Sequence, residues 1–409
     1  MSESKSILFV DDEPRILQAL ERNFYQNRDK WDIDYATSAK EALGFMSLKA
    51  YDIIFTDMRM PEMDGSTLLK EVQKSHPNTI RVVLTGHTDL EVAMRTVSFA
   101  HQFLVKPCRT DVLEEVINRA LDLQLLLNNK HLLAILGQVG SLPTRPSTNA
   151  KLNKVLSSEY ASMNDVLDVV EQDTSLCAKI LQLVNSAFIG SFQRMTSIQS
   201  ALNYLGTNML KSLALGFEVF QTFKVQDDIP GFSLEFQQKH AFTSAHIAKA
   251  LIQDPQASET AYTAAMLHGI GKLVLATYMP EQLKSALALA ESKGILLYQA
   301  EKELYNVTHA EIGAYLLGIW GLPYPIIEAV AFYNNPNHVE HNIFDIMSAV
   351  YVSNILAYEQ VHNTKIKGQA FNCPKIDEAY LERLGVLDRL PEWRAIAASQ
   401  ATIDISFIQ

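Results

Sequence analysis

Ile53-Ile54-Phe55-Thr56-Asp57-Met58-Arg59-Met60-Pro61-Glu62-Met63-Asp64-Gly65 decides how the first part of this chain folds. Four apolar or β-branched residues run directly into an acid and then into turn formers. Such a run is too short for a helix and reads as a buried strand with a functional residue at its carboxyl end. The same pattern recurs on either side. Ile7–Val10 runs into Asp11 and Asp12, Val82–Thr85 into Gly86, and Phe103–Val105 into Lys106, with a weaker run near Ile33–Ala36. Pro14–Gln26 and Ala39–Leu48, between these runs, have helical periodicity. This alternation predicts an α/β unit with a five-stranded parallel sheet covered on both faces.

In a doubly wound sheet, ligands bind outside the carboxyl ends of the strands, where the strand order reverses. The first and third strands are expected side by side there, bringing Asp11, Asp12 and Asp57 together. Three carboxylates in one pocket repel one another, and a hard divalent cation such as Mg²⁺ relieves that repulsion. Lys106 adds a cation for phosphoryl oxygens and Thr85 a hydroxyl donor.

These motifs, Ile7–Glu13, Asp57–Gly65, Thr85-Gly86 and Lys106-Pro107, resemble the receiver domain of two-component response regulators, a flavodoxin-like α/β fold, over residues 5–122. The resemblance implies that Asp57 accepts a phosphoryl group from a sensor histidine kinase. It implies that Asp12, Asp57 and the backbone carbonyl of Arg59 hold Mg²⁺ with help from Asp11. It also implies that Thr85 and Phe103 form the switch pair and that Lys106 contacts the phosphoryl group.

From about residue 110 the pattern is helical. Residues 110–139 read as a linker helix continuing the last receiver helix. Val112, Val116, Leu123, Leu126 and Leu133 lie near one stripe, interrupted by Arg119 and Lys130, so a homodimer through this stripe is one expectation. Gly137–Ser147 is rich in Gly, Pro, Ser and Thr and marks a boundary. Beyond it an all-α region is expected, with capping boxes at Thr196-x-x-Gln199 and Thr308-x-x-Glu311. Four stretches resemble the HDOD family, relatives of the HD phosphohydrolases: Asp173–Gly190, Thr196–Gly206, Met266–Lys272 and His309–Pro323. The expected organisation is a receiver over 1–122, the linker helix over 110–139, an HDOD domain over 140–360 and a helical tail over 361–409.

The resemblance also implies where a hydrolase's metal ligands would lie. His240 matches the first histidine and His268 the histidine of the His-Asp pair, but Gly269 stands for the aspartate and Asn354 for the later one. Phe332-Tyr333 replaces the paired histidines of the related cyclic-dinucleotide phosphodiesterases. Glycine cannot bridge two metals, so hydrolysis at His240, His268, Gly269, Lys272, His309 and Asn354 is not expected. The surviving histidines could still hold a single metal; a packed, hydrogen-bonded role is favoured.

The formal charge of −11 has no basic stripe, which argues against a nucleic-acid-binding output. Cys108, Cys177 and Cys373 are scattered and have no CxxC spacing, as in a reducing compartment. No leader and no bilayer-length apolar run is read, so the expected location is cytoplasmic. The expected function is a phosphorylation-dependent regulator with a non-enzymatic output that binds other proteins, plausibly a diguanylate cyclase or phosphodiesterase. The alternatives are a residual phosphohydrolase and a nucleotide-sensing module.

Overall fold

The computed structural model describes residues 5–86, 99–126, 130–139, 142, 146–158, 162–185, 194–217, 229–339, 341–362 and 373–403. Two compact units are present. The first takes in Met1–Ser141, Gln182–Arg194 and Tyr315–Gly321, and the second the remainder.

The first unit is built on β1 (Lys5–Val10), β2 (Trp31–Ala36), β3 (Ile53–Asp57), β4 (Ile80–Thr85) and β5 (Gln102–Val105). They form one parallel sheet in the order β2-β1-β3-β4-β5. β3 and β4 are buried along their whole length, as strands covered on both faces must be. Phe9 of β1 stacks on Phe55 of β3 at 4.7 Å and on Phe24 at 5.6 Å, so the two strands that carry the acids share one aromatic core. α1 (Pro14–Asn23), α2 (Ala39–Leu48) and α3 (Gly65–Ser75) follow β1, β2 and β3. Pro14 opens α1, Ser38 caps α2, and Asp64 caps α3 by accepting from Thr67 N at 2.7 Å.

The expected single helix over 110–139 is described as two stretches, α4 (Thr110–Leu126) and α5 (Lys130–Gln138); residues 127–129 lie outside the described set. α5 is tied to the sheet by Arg81 of β4. This buried guanidinium donates to Gly137 O at 2.5 Å, to Thr79 O at 3.1 Å and to Phe99 O at 2.5 Å. Gln102 of β5 donates its side-chain amide to Ile319 O at 2.9 Å, and Gln182 donates to His101 O at 3.2 Å.

The second unit is helical among the described residues. Its elements are α6 (Pro146–Ser157), α7 (Met163–Val170), α8 (Thr174–Asn185), α9 (Ile198–Phe217), α10 (Leu234–Leu251), α11 (Pro255–Leu267), α12 (Ile270–Tyr278), α13 (Pro280–Lys293), α14 (Leu297–Tyr305), α15 (His309–Ile319), α16 (Tyr324–Phe332), α17 (Ile346–His362), α18 (Glu378–Arg383) and α19 (Leu390–Ile403). The ends of α8 and α15 lie in the first unit. α10 packs on α11 and α17 at the centre. Ser233 caps α10, and Asp254 caps α11 with Pro255 in its first turn. The Thr308–Glu311 box forms with both hydrogen bonds, at 2.7 and 3.2 Å. The box expected at Thr196 does not. α9 begins at Ile198, and Ser197 Oγ accepts from Ser200 N at 3.3 Å, because the helix starts one residue later than the pattern suggests. Of the Asp173–Gly190 motif, residues 186–190 lie outside the described set.

Gly65 carries a testable constraint. A Cβ there would lie 2.1 Å from the backbone oxygen of Asp57, so α3 starts closer to the end of β3 than any side chain permits. Gly65→Ala is expected to cost at least about 2 kcal/mol and to displace the Asp57 backbone. Hydrogen exchange should show lost protection in β3 and α3, with the helical unit unaffected.

Candidate functional site

The parallel register sets β1 and β3 side by side, with Val10 opposite Thr56, so the acids that follow both strands emerge at one sheet edge. Asp11 is buried. Its Oδ1 accepts from Glu13 N at 2.9 Å and its Oδ2 from Lys106 Nζ at 2.6 Å. Lys106 Nζ also donates to Asp57 Oδ1, in a very short contact. Asp57 Oδ2 accepts from Arg59 N at 2.7 Å. Burial works against the Lys106 ammonium, but hydrogen bonds and charge from Asp11 and Asp57 outweigh it and raise its pKa. The lysine is therefore a fixed cation; it sits directly after β5 and precedes a cis peptide to Pro107.

 Asp12 is half-buried and makes no hydrogen bond among the described residues. Thr85 and Phe103 are buried at the same sheet edge, and the Thr85 hydroxyl has only a long 3.5 Å contact, to Gly86 O.

The donor set suits Mg²⁺. Carboxylate oxygens and a backbone carbonyl are hard ligands, and Mg²⁺ commonly takes one or two carboxylates and keeps several waters. Among the described residues no group of three or more His, Cys, Asp or Glu forms a closed metal cage, which such a water-rich site does not require.

The second cluster lies inside the helical unit. α10 supplies His240, the end of α11 His268, α15 His309, and α17 Asn354 and Tyr358. His240 Nε2 pairs with Asn354 Oδ1 at 2.9 Å, and the His240 and His268 rings are 5.4 Å apart. His268 Nδ1 is 2.5 Å from Ala265 O. His309 is clamped between Glu301, at 2.6 Å from Nδ1, and the Tyr333 hydroxyl, at 2.7 Å from Nε2. Lys272 Nζ reaches Tyr358 Oη at 3.3 Å. The sequence-derived residues thus form one buried cluster. Sequence reasoning missed Glu301, Tyr358 and Gln237. Tyr358 lies one helical turn beyond Asn354, a spacing that could have pointed to it, whereas Glu301 sits in a polar run that hides its burial.

Burial lowers the pKa of all three histidines, His268 down to about 3, with the nearby Lys272 charge adding to the effect. They are therefore neutral at pH 7. For Lys272, burial opposes the charge, but the phenols of Tyr358 and Tyr333 outweigh it and raise its pKa.

Gly269 has φ −84° and ψ 1°, which any residue can adopt, and a Cβ there would meet nothing closer than Gln237 Oε1 at 3.9 Å. Neither backbone nor space requires glycine at this position.

Residues 7–118 match the family model for the response regulator receiver domain, and residues 142–336 match that for the HDOD domain. An uncharacterized protein of Treponema pallidum is 24% identical over 255 residues, covering 62% of this chain and 49% of the relative. The response regulator protein PilR of Pseudomonas aeruginosa is 34% identical over 125 residues, 30% of this chain and 27% of PilR. The chain thus spans half or less of the length of these curated relatives. Among solved structures, a virulence factor of Campylobacter jejuni aligns with a TM-score of 0.50 at 22% identity, covering 65% of this chain and 98% of that one, a likeness of fold. The MmoQ response regulator of Methylococcus capsulatus aligns at 0.49 and 21%, covering 62% and 98%. No described helix is long and apolar enough to cross a membrane.

Two outcomes follow from the cluster. The unfolded chain takes up protons on His240, His268 and His309 near pH 6.5, and the native state does not until lower pH. Stability of the helical unit should be full above about pH 7 and fall as pH drops through 6, by up to about 1.4 kcal/mol per pH unit per histidine. Thermal unfolding between pH 8 and pH 5 measures this. Second, Gly269→Asp combined with Asn354→Asp should gain a transition-metal site that neither the parent nor Gly269→Asp alone possesses, read by elemental analysis after dialysis against Mn²⁺.

Proposed function

We propose that this chain, which carries a receiver domain ahead of an HDOD domain, is a response regulator in which phosphoryl transfer to Asp57 switches a non-catalytic HDOD output. The observation that carries this reading is the convergence of Asp57, Asp11 and Lys106 at one sheet edge. The Asp57 carboxylate attacks the phosphorus of a phosphohistidine on a sensor kinase. The new O–P bond forms as the N–P bond breaks, and the imidazole leaves. Asp12, Asp57 and the Arg59 carbonyl would hold Mg²⁺, with Asp11 assisting, and the ion would supply positive charge at the phosphoryl group. Lys106 exchanges its carboxylate contact on Asp57 for the phosphoryl oxygens.

Thr85 has no strong partner to give up, so its hydroxyl is available to a phosphoryl oxygen. Movement at Thr85 draws on β4, and Phe103 lies across from Val83 on β5. Gln102, next to Phe103, is the side chain that grips Ile319 O. A shift of Phe103 therefore reaches that grip through one peptide unit. Coupling of this kind is commonly about 1–3 kcal/mol, enough to expose or hide a protein-binding surface. The output is read as protein binding, with enzymes of cyclic-dinucleotide signalling as the favoured partners. Gly269 and Asn354 speak against residual hydrolysis.

Incubation with acetyl phosphate and Mg²⁺ should give an acid-stable, base-labile phosphoryl group on the wild type and none on Asp57→Ala. Beryllofluoride with Mg²⁺ should then alter hydrogen exchange around Gln102 and Ile319 and change the set of captured partner proteins. An unmodified Asp57 would exclude the receiver switch. A modified Asp57 with unchanged exchange and partners would exclude the proposed coupling.

A further inference from the structure

The helical unit contains a cavity of about 50 Å³ with a polar floor and an apolar rim. Lys272, Gln237, Asn354 and His309 form the floor, and each is buried. Phe232, Leu297, Tyr298 and Pro374 stand at the rim, part-exposed. A buried water needs about 10–15 Å³ by this measure, so the space holds about four waters, close to the bulk of one compact oxyanion.

The floor is built for negative charge. Lys272 carries a buried ammonium whose hydrogen-bond partner is a neutral phenol, and no carboxylate lies within ion-pair distance of it among the described residues. A buried cation held only by a phenol leaves donor capacity unused and is costly unless an anion joins it. Asn354 accepts from His240 through Oδ1, which leaves its amide N–H groups as donors. Gln237 is buried, and its side-chain amide lines the cavity and makes no hydrogen bond among the described residues, so its N–H groups are available as donors. His309 is fixed by Glu301 as a neutral ring and adds no repelling charge of its own.

We infer that this cavity is a binding site for a phosphate group, free or as the head of a small phosphomonoester. The ammonium of Lys272 and the amides of Gln237 and Asn354 take its oxygens, and the apolar rim receives the remainder of an ester. Three donor side chains of this kind match the three terminal oxygens of a phosphate. The inference goes beyond the receiver switch and does not depend on Asp57.

The test uses the full-length chain with inorganic phosphate as probe, in Mg²⁺-free buffer at constant ionic strength, followed by titration calorimetry and ³¹P line broadening. Saturable binding is expected. Lys272→Met and Gln237→Leu should each weaken it about tenfold or more, and Lys106→Met, at the receiver edge, should leave it unchanged. Circular dichroism and the thermal midpoint report whether each variant is folded; if Lys272→Met is not, Gln237→Leu decides. A phosphomonoester with an apolar tail binding more tightly than phosphate identifies the ester as the better ligand. No saturable binding, binding lost in Lys106→Met, or binding unchanged in the folded floor variants would overturn the inference.

Discussion

The Lys106 ammonium holds two aspartates at one sheet edge, and the first unit is organised around that compensation. Asp11 and Asp57 end adjacent parallel strands, and without a cation their mutual repulsion would oppose the register that brings them together. The aromatic stack of Phe9 on Phe55 fixes the strands behind them, and the close approach of Gly65 fixes the loop in front. The same geometry leaves Asp57 accessible to chemistry. Each contact that Lys106 makes with a carboxylate can be exchanged for one with a phosphoryl oxygen at little electrostatic cost.

The helical unit meets the opposite problem. Its polar groups lie in the centre of a helix bundle, and it neutralises or pairs them. Three histidines lose their protons, His240 pairs with Asn354, and His309 is held between Glu301 and Tyr333. An HD hydrolase would place anionic ligands here and compensate them with metal. Here Gly269 and Asn354 carry no carboxylate, and the buried Glu301 carboxylate is held by His309. Lys272 is the group that this arrangement leaves with a surplus of donor capacity.

The two sites therefore differ in kind. The receiver edge is a cluster of opposite charges open to exchange, as suits a switch that must reverse. The helical cluster is buried and mostly neutral, with His240 paired to Asn354 and His309 to Glu301 and Tyr333. Gln102, one residue from Phe103, holds the Ile319 carbonyl at a helix end.

Much of this was legible in the amino-acid sequence. Five short apolar runs, three of them ending in an acid or a lysine, pointed to the parallel sheet and to the set Asp11, Asp12, Asp57, Thr85 and Lys106, because strand length and the placement of charged residues after strands are local properties. Only the tertiary structure decided which polar residues became buried partners. Glu301, Gln237 and Tyr358 look like ordinary helix residues until α10, α14 and α17 pack, since burial and pairing depend on contacts between segments far apart in the chain. The start of α9 at Ile198 and the space beside Gly269 were decided there too, because a cap and a cavity belong to the packing around a residue and not to the residue itself.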